Sequence, residues 1–136
     1  MADSPTIEEL ERRLSLLIVD DEANFLALLH RVLSKEGYQI TIARGCARAL
    51  RCIERERFDL AVLDVKMHPM SGVELLAEIK NRNPLTRVLM VTGYPTDYTR
   101  EESVQLGAAG YLTKPIDMSE LKAVLRDLAD ARKLVK

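Results

Sequence analysis

Three runs of this chain, Leu14 to Val19, Leu60 to Leu63 and Val88 to Val91, are apolar with almost no interruption. A residue capable of chemistry follows each: Asp20, Asp64 and Thr92. Runs this short read as strands, and strands apolar on both faces occur in parallel sheets covered by helices above and below. The segments between them carry the helical period. Phe25, Leu28, Leu29, Val32 and Leu33 mark the inner side of a first helix, which Gly37 stops. Ala47, Leu50 and Ile53 mark a second, from about Cys46 to Arg57; Val73, Leu76 and Ile79 mark a third, from about Gly72 to Arg82, ended by Asn83-Pro84.

Two further strands are weaker. Tyr38, Ile40 and Ile42 alternate with Gln39 and Thr41, and Gly110 to Thr113 is brief, so both belong at sheet edges. A fourth helix, Thr96 to Leu106, has little apolar surface before Val104 and Leu106, so it is expected to be weakly anchored and the place to look for movement. A fifth starts after Asp117, with Glu120 placed as in a capping box and Met118, Leu121, Leu125 and Leu128 inward. Five strands alternating with five helices predict an α/β fold, a doubly wound five-stranded parallel sheet with helices on both faces. The edge assignments match the flavodoxin-like order 2-1-3-4-5, with its switch point between strands 1 and 3.

Composition narrows the function classes. The chain of 136 residues is 47% hydrophobic and 30% charged, which suits one domain with its own core. Lys and Arg number 20 against 21 Asp and Glu, so no net field favours nucleic acid or an anionic membrane. No run approaches the ~20 apolar residues of a membrane span, and the first thirteen residues lack a signal-peptide core, so no membrane association and a cytoplasmic location are expected. Cys46 and Cys52 lie too far apart round one helix for a disulfide and have no metal-ligand spacing; they read as two small half-buried side chains. Residues 1–13 read as an N-terminal extension. There Thr6-Ile7-Glu8-Glu9 fits a capping box, as a short helix or a frayed tail. Residues 14–131 form the domain, and 132–136 a tail or the start of a linker. No output module follows Lys136, so any output is expected on a partner or elsewhere in a longer protein.

In the predicted architecture Asp20 and Asp21, Asp64, Thr92 and Lys114 lie at one edge of the sheet, each group after a different strand. Carboxylates converging there repel one another and invite a cation. Oxygen donors without Cys or a paired His suit a hard ion, Mg²⁺ or Mn²⁺. Asp64 can be a metal ligand, a helix cap or a nucleophile for a phosphoryl group. Thr92 offers a hydroxyl donor, Lys114 a mobile charge for a phosphoryl oxygen, and Gly93 a backbone N–H open to an anion. Singly, each has a plainer reading: Asp20-Asp21-Glu22 as a helix start, Asp64 as a turn residue, Thr92 as a strand-end hydroxyl bonded to backbone, Lys114 as a solvated loop lysine. Their agreement at four strand ends favours the site.

The stretches Leu17-Ile18-Val19-Asp20-Asp21-Glu22, Asp64-Val65-Lys66-Met67 with Gly72, Val91-Thr92-Gly93 and Tyr111-Leu112-Thr113-Lys114-Pro115 resemble the response-regulator receiver domain of two-component signalling, over about Ser15 to Ala131. The resemblance implies that Asp64 takes a phosphoryl group from the phosphohistidine of a histidine kinase or a histidine phosphotransfer protein. It implies Mg²⁺ held by Asp20, Asp21, Asp64 and the Lys66 carbonyl. Thr92 and Lys114, with the Val65 and Gly93 N–H groups, would bind the phosphoryl oxygens, and the Lys114-Pro115 bond would be cis. Thr92 and Tyr111 would form the switch, and helix 4, strand 5 and helix 5 (with Tyr98, Arg100, Glu101, Lys122 and Arg126) the surface presented to an effector, a partner or a second copy. Such a module is a phosphoacceptor rather than an enzyme acting on an outside substrate.

The chain departs from the family where proline and then glycine usually follow the phosphoacceptor by four and five residues. Those places hold His68 and Pro69. His68 reads as a surface loop residue and His30 as an exposed helix residue. Lys66 and Tyr94, two past Asp64 and Thr92, flank the family's water path and are expected to set the rate of dephosphorylation. Two other classes compete. One is a Mg²⁺-dependent aspartyl phosphohydrolase, against which stand the adjacent aspartates after strand 1 and the lack of an insertion for a cap. The other is an interaction domain that kept the fold and lost the chemistry, against which stand Asp64, Thr92 and Lys114.

Overall fold

The computed structural model describes residues 4, 6–8 and 13–134. Its elements are β1 (Ser15–Asp20), α1 (Ala23–Ser34), β2 (Gln39–Arg44), α2 (Cys46–Arg55), β3 (Leu60–Asp64), α3 (Gly72–Arg82), β4 (Arg87–Thr92), α4 (Asp97–Gln105), β5 (Gly110–Thr113) and α5 (Met118–Leu134). All four strand pairings are parallel and the order is β2-β1-β3-β4-β5, the predicted topology. Of the expected N-terminal helix, Ile7 and Glu8 have helical backbone and Ile7 is exposed; the rest of it lies outside the described residues.

The continuous apolar runs are explained by a core on each face. Leu16, Ile18, Leu60, Val62, Leu89 and Val91 pack with Leu26, Leu29 and Leu33 of α1 and Leu121 and Leu125 of α5. The alternate residues Leu17, Val19, Ala61, Leu63, Val88 and Met90 pack with Ala49 of α2 and Val73, Leu75, Leu76 and Ile79 of α3. Each such side chain, taken from water, contributes about 1.5–3 kcal/mol. Central strands are therefore apolar at every position, as their place between two helical layers requires.

Several details depart from the periodic reading. In α1 the buried set includes Leu26, while Phe25 and Val32 are only partly buried against it. In α2 the buried residues are Cys46 and Ala49, Leu50 and Ile53 are partly buried against the core as predicted, and Ala47 is exposed. Cys46 is thus buried rather than half-buried. Ile42 is 45% exposed, since β2 is an edge strand with a neighbour on one side only. In α4 the predicted anchors Val104 and Leu106 are exposed and the buried residue is Ser103.

Helix starts that position the site are capped. Ser71 and Glu74 form a capping box at α3, as do Thr96 and Thr99 at α4. At α5 the Asp117 carboxylate accepts the N–H groups of Ser119 (2.8 Å) and Glu120 (3.3 Å). Gly72 starts α3 directly against the end of β3: a β-carbon there would lie 1.9 Å from the Asp64 carbonyl oxygen.

Candidate functional site

Asp20, Asp64 and Thr92 end β1, β3 and β4, and Lys114 follows β5. The ladder pairs Asp64 with Val91 and Thr92 with Thr113, so the four residues fall at one edge by register alone. Asp20 is 1% exposed, Asp64 9% and Thr92 0%. Lys114 Nζ donates to Asp20 Oδ2 at 2.8 Å and lies 3.9 Å from both Asp64 Oδ2 and Glu22 Oε1. The ammonium also sits 4.3 Å from the centre of the ring of Phe25, a residue of α1. Lys114 is therefore no solvated loop lysine.

The aspartates too have defined partners. Asp20 Oδ1 accepts the Glu22 N–H at 2.8 Å, so one oxygen shapes the start of α1 and the other holds Lys114. Asp64 Oδ1 accepts the Lys66 N–H at 3.4 Å. The Val65 N–H, expected to face a phosphoryl group, instead donates to the Val91 carbonyl at 3.1 Å. Strand register extends the ladder one residue past Asp64, and the amide beside the carboxylate becomes that of Lys66. Thr92 Oγ1 accepts the Tyr94 N–H at 3.1 Å, leaving its own proton to donate. Gly93 is exposed, and a β-carbon there would come no nearer than 3.9 Å to Lys114.

Two nearly buried carboxylates face one ammonium, and Asp64 bears the imbalance. Burial pushes its carboxyl up to about 6, and the Asp20 charge pushes in the same direction. Lys114 and the Lys66 N–H oppose this, and Asp21 adds a smaller upward push. Asp21 itself is exposed, its Oδ1 near Gly45, so the three acids do not converge equally. Among the described residues no three His, Cys, Asp or Glu side chains are gathered as a metal cage. What the edge offers is two carboxylates with uncompensated charge and hard oxygen donors. That fits Mg²⁺ or Mn²⁺, which keep several waters and need only one or two carboxylates, and it does not fit a closed Zn²⁺ site.

Lys66 and Tyr94, both singled out in the sequence, also frame the site. Lys66 Nζ lies 4.4 Å over the Tyr94 ring, joining the loop after Asp64 to the loop after Thr92. His68 and His30 are exposed, as predicted. Both His68-Pro69 and Lys114-Pro115 are cis. The Cys52 thiol is pushed up by burial and by Glu56, which leaves it a poor nucleophile.

Residues 16–126 match the response regulator receiver domain. The chain belongs to that family. The receiver is 37% identical over 112 residues to the transcriptional regulatory protein ZraR of Escherichia coli K12, covering 82% of this chain. It spans about a quarter of the length of that curated relative (25%). Among solved structures it resembles a CheY-like receiver domain protein of Methanospirillum hungatei JF-1. The TM-score is 0.89 with 32% identity, over 91% of this chain and 99% of that one. It also resembles a Burkholderia pseudomallei response regulator described with a phosphorylated aspartic acid, a calcium ion and citrate. There the TM-score is 0.78 with 29% identity, over 88% of this chain and 71% of that one. Receivers of this family are regulatory modules of two-component systems. Among the described residues no helix is long and apolar enough to cross a membrane.

Proposed function

We propose that this receiver is a phosphorylation-dependent switch in which Asp64 is the phosphoacceptor. The observation that carries the reading is the Asp20–Lys114–Asp64 group, nearly buried at three strand ends with an excess of negative charge. An Asp64 oxygen attacks the phosphorus of a phosphohistidine on a histidine kinase or phosphotransfer protein. The P–N bond breaks, the imidazole leaves with its electron pair and takes a proton, and an aspartyl phosphate forms. Lys114, which now spans Asp20 and Asp64, moves its charge to the phosphoryl oxygens; the Thr92 hydroxyl and the Lys66 and Gly93 N–H groups donate to them. Asp20, Asp21, Asp64 and the Lys66 carbonyl would hold a Mg²⁺, which would supply charge neutralisation. The B. pseudomallei regulator, with its phosphorylated aspartate and calcium, supports this reading.

The added charge draws Thr92 inward, Tyr111 follows, and the face made by α4, β5 and α5 changes toward an effector, a partner or a second copy. Residues 14–131 are the unit that carries this, with 1–13 as an extension. Incubation with acetyl phosphate and Mg²⁺ tests it. Acid-stable, base-labile phosphate should appear on the wild-type chain and be lost in Asp64→Asn. Unlabelled wild-type protein would favour an interaction domain without phosphorylation, and continuous release of phosphate from outside substrates would favour a hydrolase.

Lys66 and Tyr94 cover the water path to the phosphoryl group. A cation–π contact at an exposed site is worth about 0.5–1 kcal/mol. Lys66→Asn or Tyr94→Ala should therefore shorten the half-life of the phosphorylated form about 2- to 5-fold. An unchanged half-life in both variants would refute that role.

A further inference from the structure

The receiver's α4 is held by very little. Among its described residues only Ser103 is buried, and the Ser103 hydroxyl donates back to the Thr99 carbonyl at 2.7 Å. The Ser103 carbonyl accepts the Ala108 N–H at 2.9 Å, which fixes the C-terminal end of the helix. Its N-terminal half is tied to the sheet differently. Thr99 Oγ1 lies 3.1 Å from the Tyr111 hydroxyl, and the Arg100 guanidinium lies 5.4 Å from the centre of the same ring. Two consecutive α4 residues thus rest on one β5 side chain.

Thr99 is also half of the α4 capping box. Its N–H donates to Thr96 Oγ1 at 3.1 Å, its Oγ1 accepts the Thr96 N–H at 3.3 Å, and its hydroxyl reaches the Thr96 carbonyl at 3.1 Å. A hydroxyl has a single proton. With that proton on the Thr96 carbonyl, Thr99 Oγ1 is the acceptor for the Tyr111 phenol, and Thr96 Oγ1 also lies 2.9 Å from that acceptor oxygen. The same threonine oxygen therefore closes the first turn of α4 and receives the β5 phenol.

We infer that Thr99 is a positioning residue: the Tyr111 phenol, docked on Thr99 Oγ1, sets the resting position of α4. Departure of the ring removes the hydrogen bond and the Arg100 stacking together, so the first turns of α4 lose their side-chain hold on the sheet while Ser103 keeps the far end in place. The helix then pivots about Ser103, carrying the exposed Tyr98 at its free end. This rests on the reading of Tyr111 as the mobile aromatic, and it adds the residue through which that motion reaches α4.

The test is amide hydrogen exchange over residues 96–105, with and without Mg²⁺ and beryllofluoride as the phosphoryl mimic. Tyr111→Phe keeps the ring and removes only the donor. In the resting chain it should speed exchange in the first two turns of α4 about three- to tenfold, the effect of one neutral hydrogen bond. With the mimic bound, wild type and Tyr111→Phe should exchange alike, because the bond is already broken. Thr99→Ser should behave as wild type and Thr99→Val at least as Tyr111→Phe. Equal exchange in resting wild type and Tyr111→Phe would overturn the inference, as would an increase that persists with the mimic bound. The resting comparison needs no phosphorylation, so it stands apart from the acetyl phosphate result on Asp64.

Discussion

Gly72→Ala is expected to destabilise the receiver by about 3–5 kcal/mol, beyond the usual range for overpacking. A β-carbon at 72 would sit 1.9 Å from the Asp64 carbonyl oxygen, 2.7 Å from its carbon and 2.9 Å from Val65 Cα. All three are backbone atoms, so no rotamer change relieves the clash. The chain must instead move α3 away from β3. That breaks the Gly72 N–H to Val65 carbonyl bond of 2.8 Å and shifts the strand end that carries Asp64. Urea unfolding should show a lower midpoint with an unchanged slope, and labelling by acetyl phosphate should fall with it. A loss below about 1 kcal/mol would mean that the close approach is not as tight as the geometry requires.

The second large effect has the opposite sign. Asp64→Asn, which on the proposed function removes the phosphoacceptor, should stabilise the metal-free chain at alkaline pH. The Asp64 carboxyl is raised from 3.8 to about 6. Below the unfolded value it is protonated in both states and costs nothing. As pH rises through the folded value, the buried group must ionise beside Asp20, and the stability present at low pH is lost. A shift of this size corresponds to about 2–3 kcal/mol above pH 7. In EDTA, the stability gap between Asp64→Asn and wild type should therefore widen by about 2 kcal/mol from pH 4.5 to pH 8. Millimolar Mg²⁺ should narrow it again by binding the folded wild type. A gap independent of pH would show that Lys114 fully compensates Asp64.

The site was legible in the sequence to the extent that it is made of strand ends. Asp20, Asp64, Thr92 and Lys114 each close an apolar run, and a parallel sheet aligns such ends whatever the side-chain details. Asp20 and Asp21 could not be told apart in the sequence, because only the folded strand end decides that Asp20 is buried and Asp21 exposed. The sequence did not show that the Val65 N–H is spent on the Val91 carbonyl and that the amide beside the Asp64 carboxylate is that of Lys66, because this depends on register with β4. Phe25 beneath Lys114 and Tyr94 beneath Lys66 carry no local signal, since each pair is made by segments distant in sequence. In α4 periodicity pointed to Val104 and Leu106, and the structure buries Ser103, whose hydroxyl finds its partner within the helix.

Hydrophobic pattern alone determined five strands, five helices, their order and the edge at which chemistry collects, because burial on two faces and a twofold strand period leave few other arrangements. The folded chain decided how charge is shared there. Whether Lys114 serves Asp20 or Asp64, whether Asp64 is burdened or relieved, and whether Tyr111 rests on Thr99 depend on distances of 3–4 Å between residues remote in sequence. Electrostatics and hydrogen bonds change steeply over such distances, and a hydrophobic pattern does not encode them.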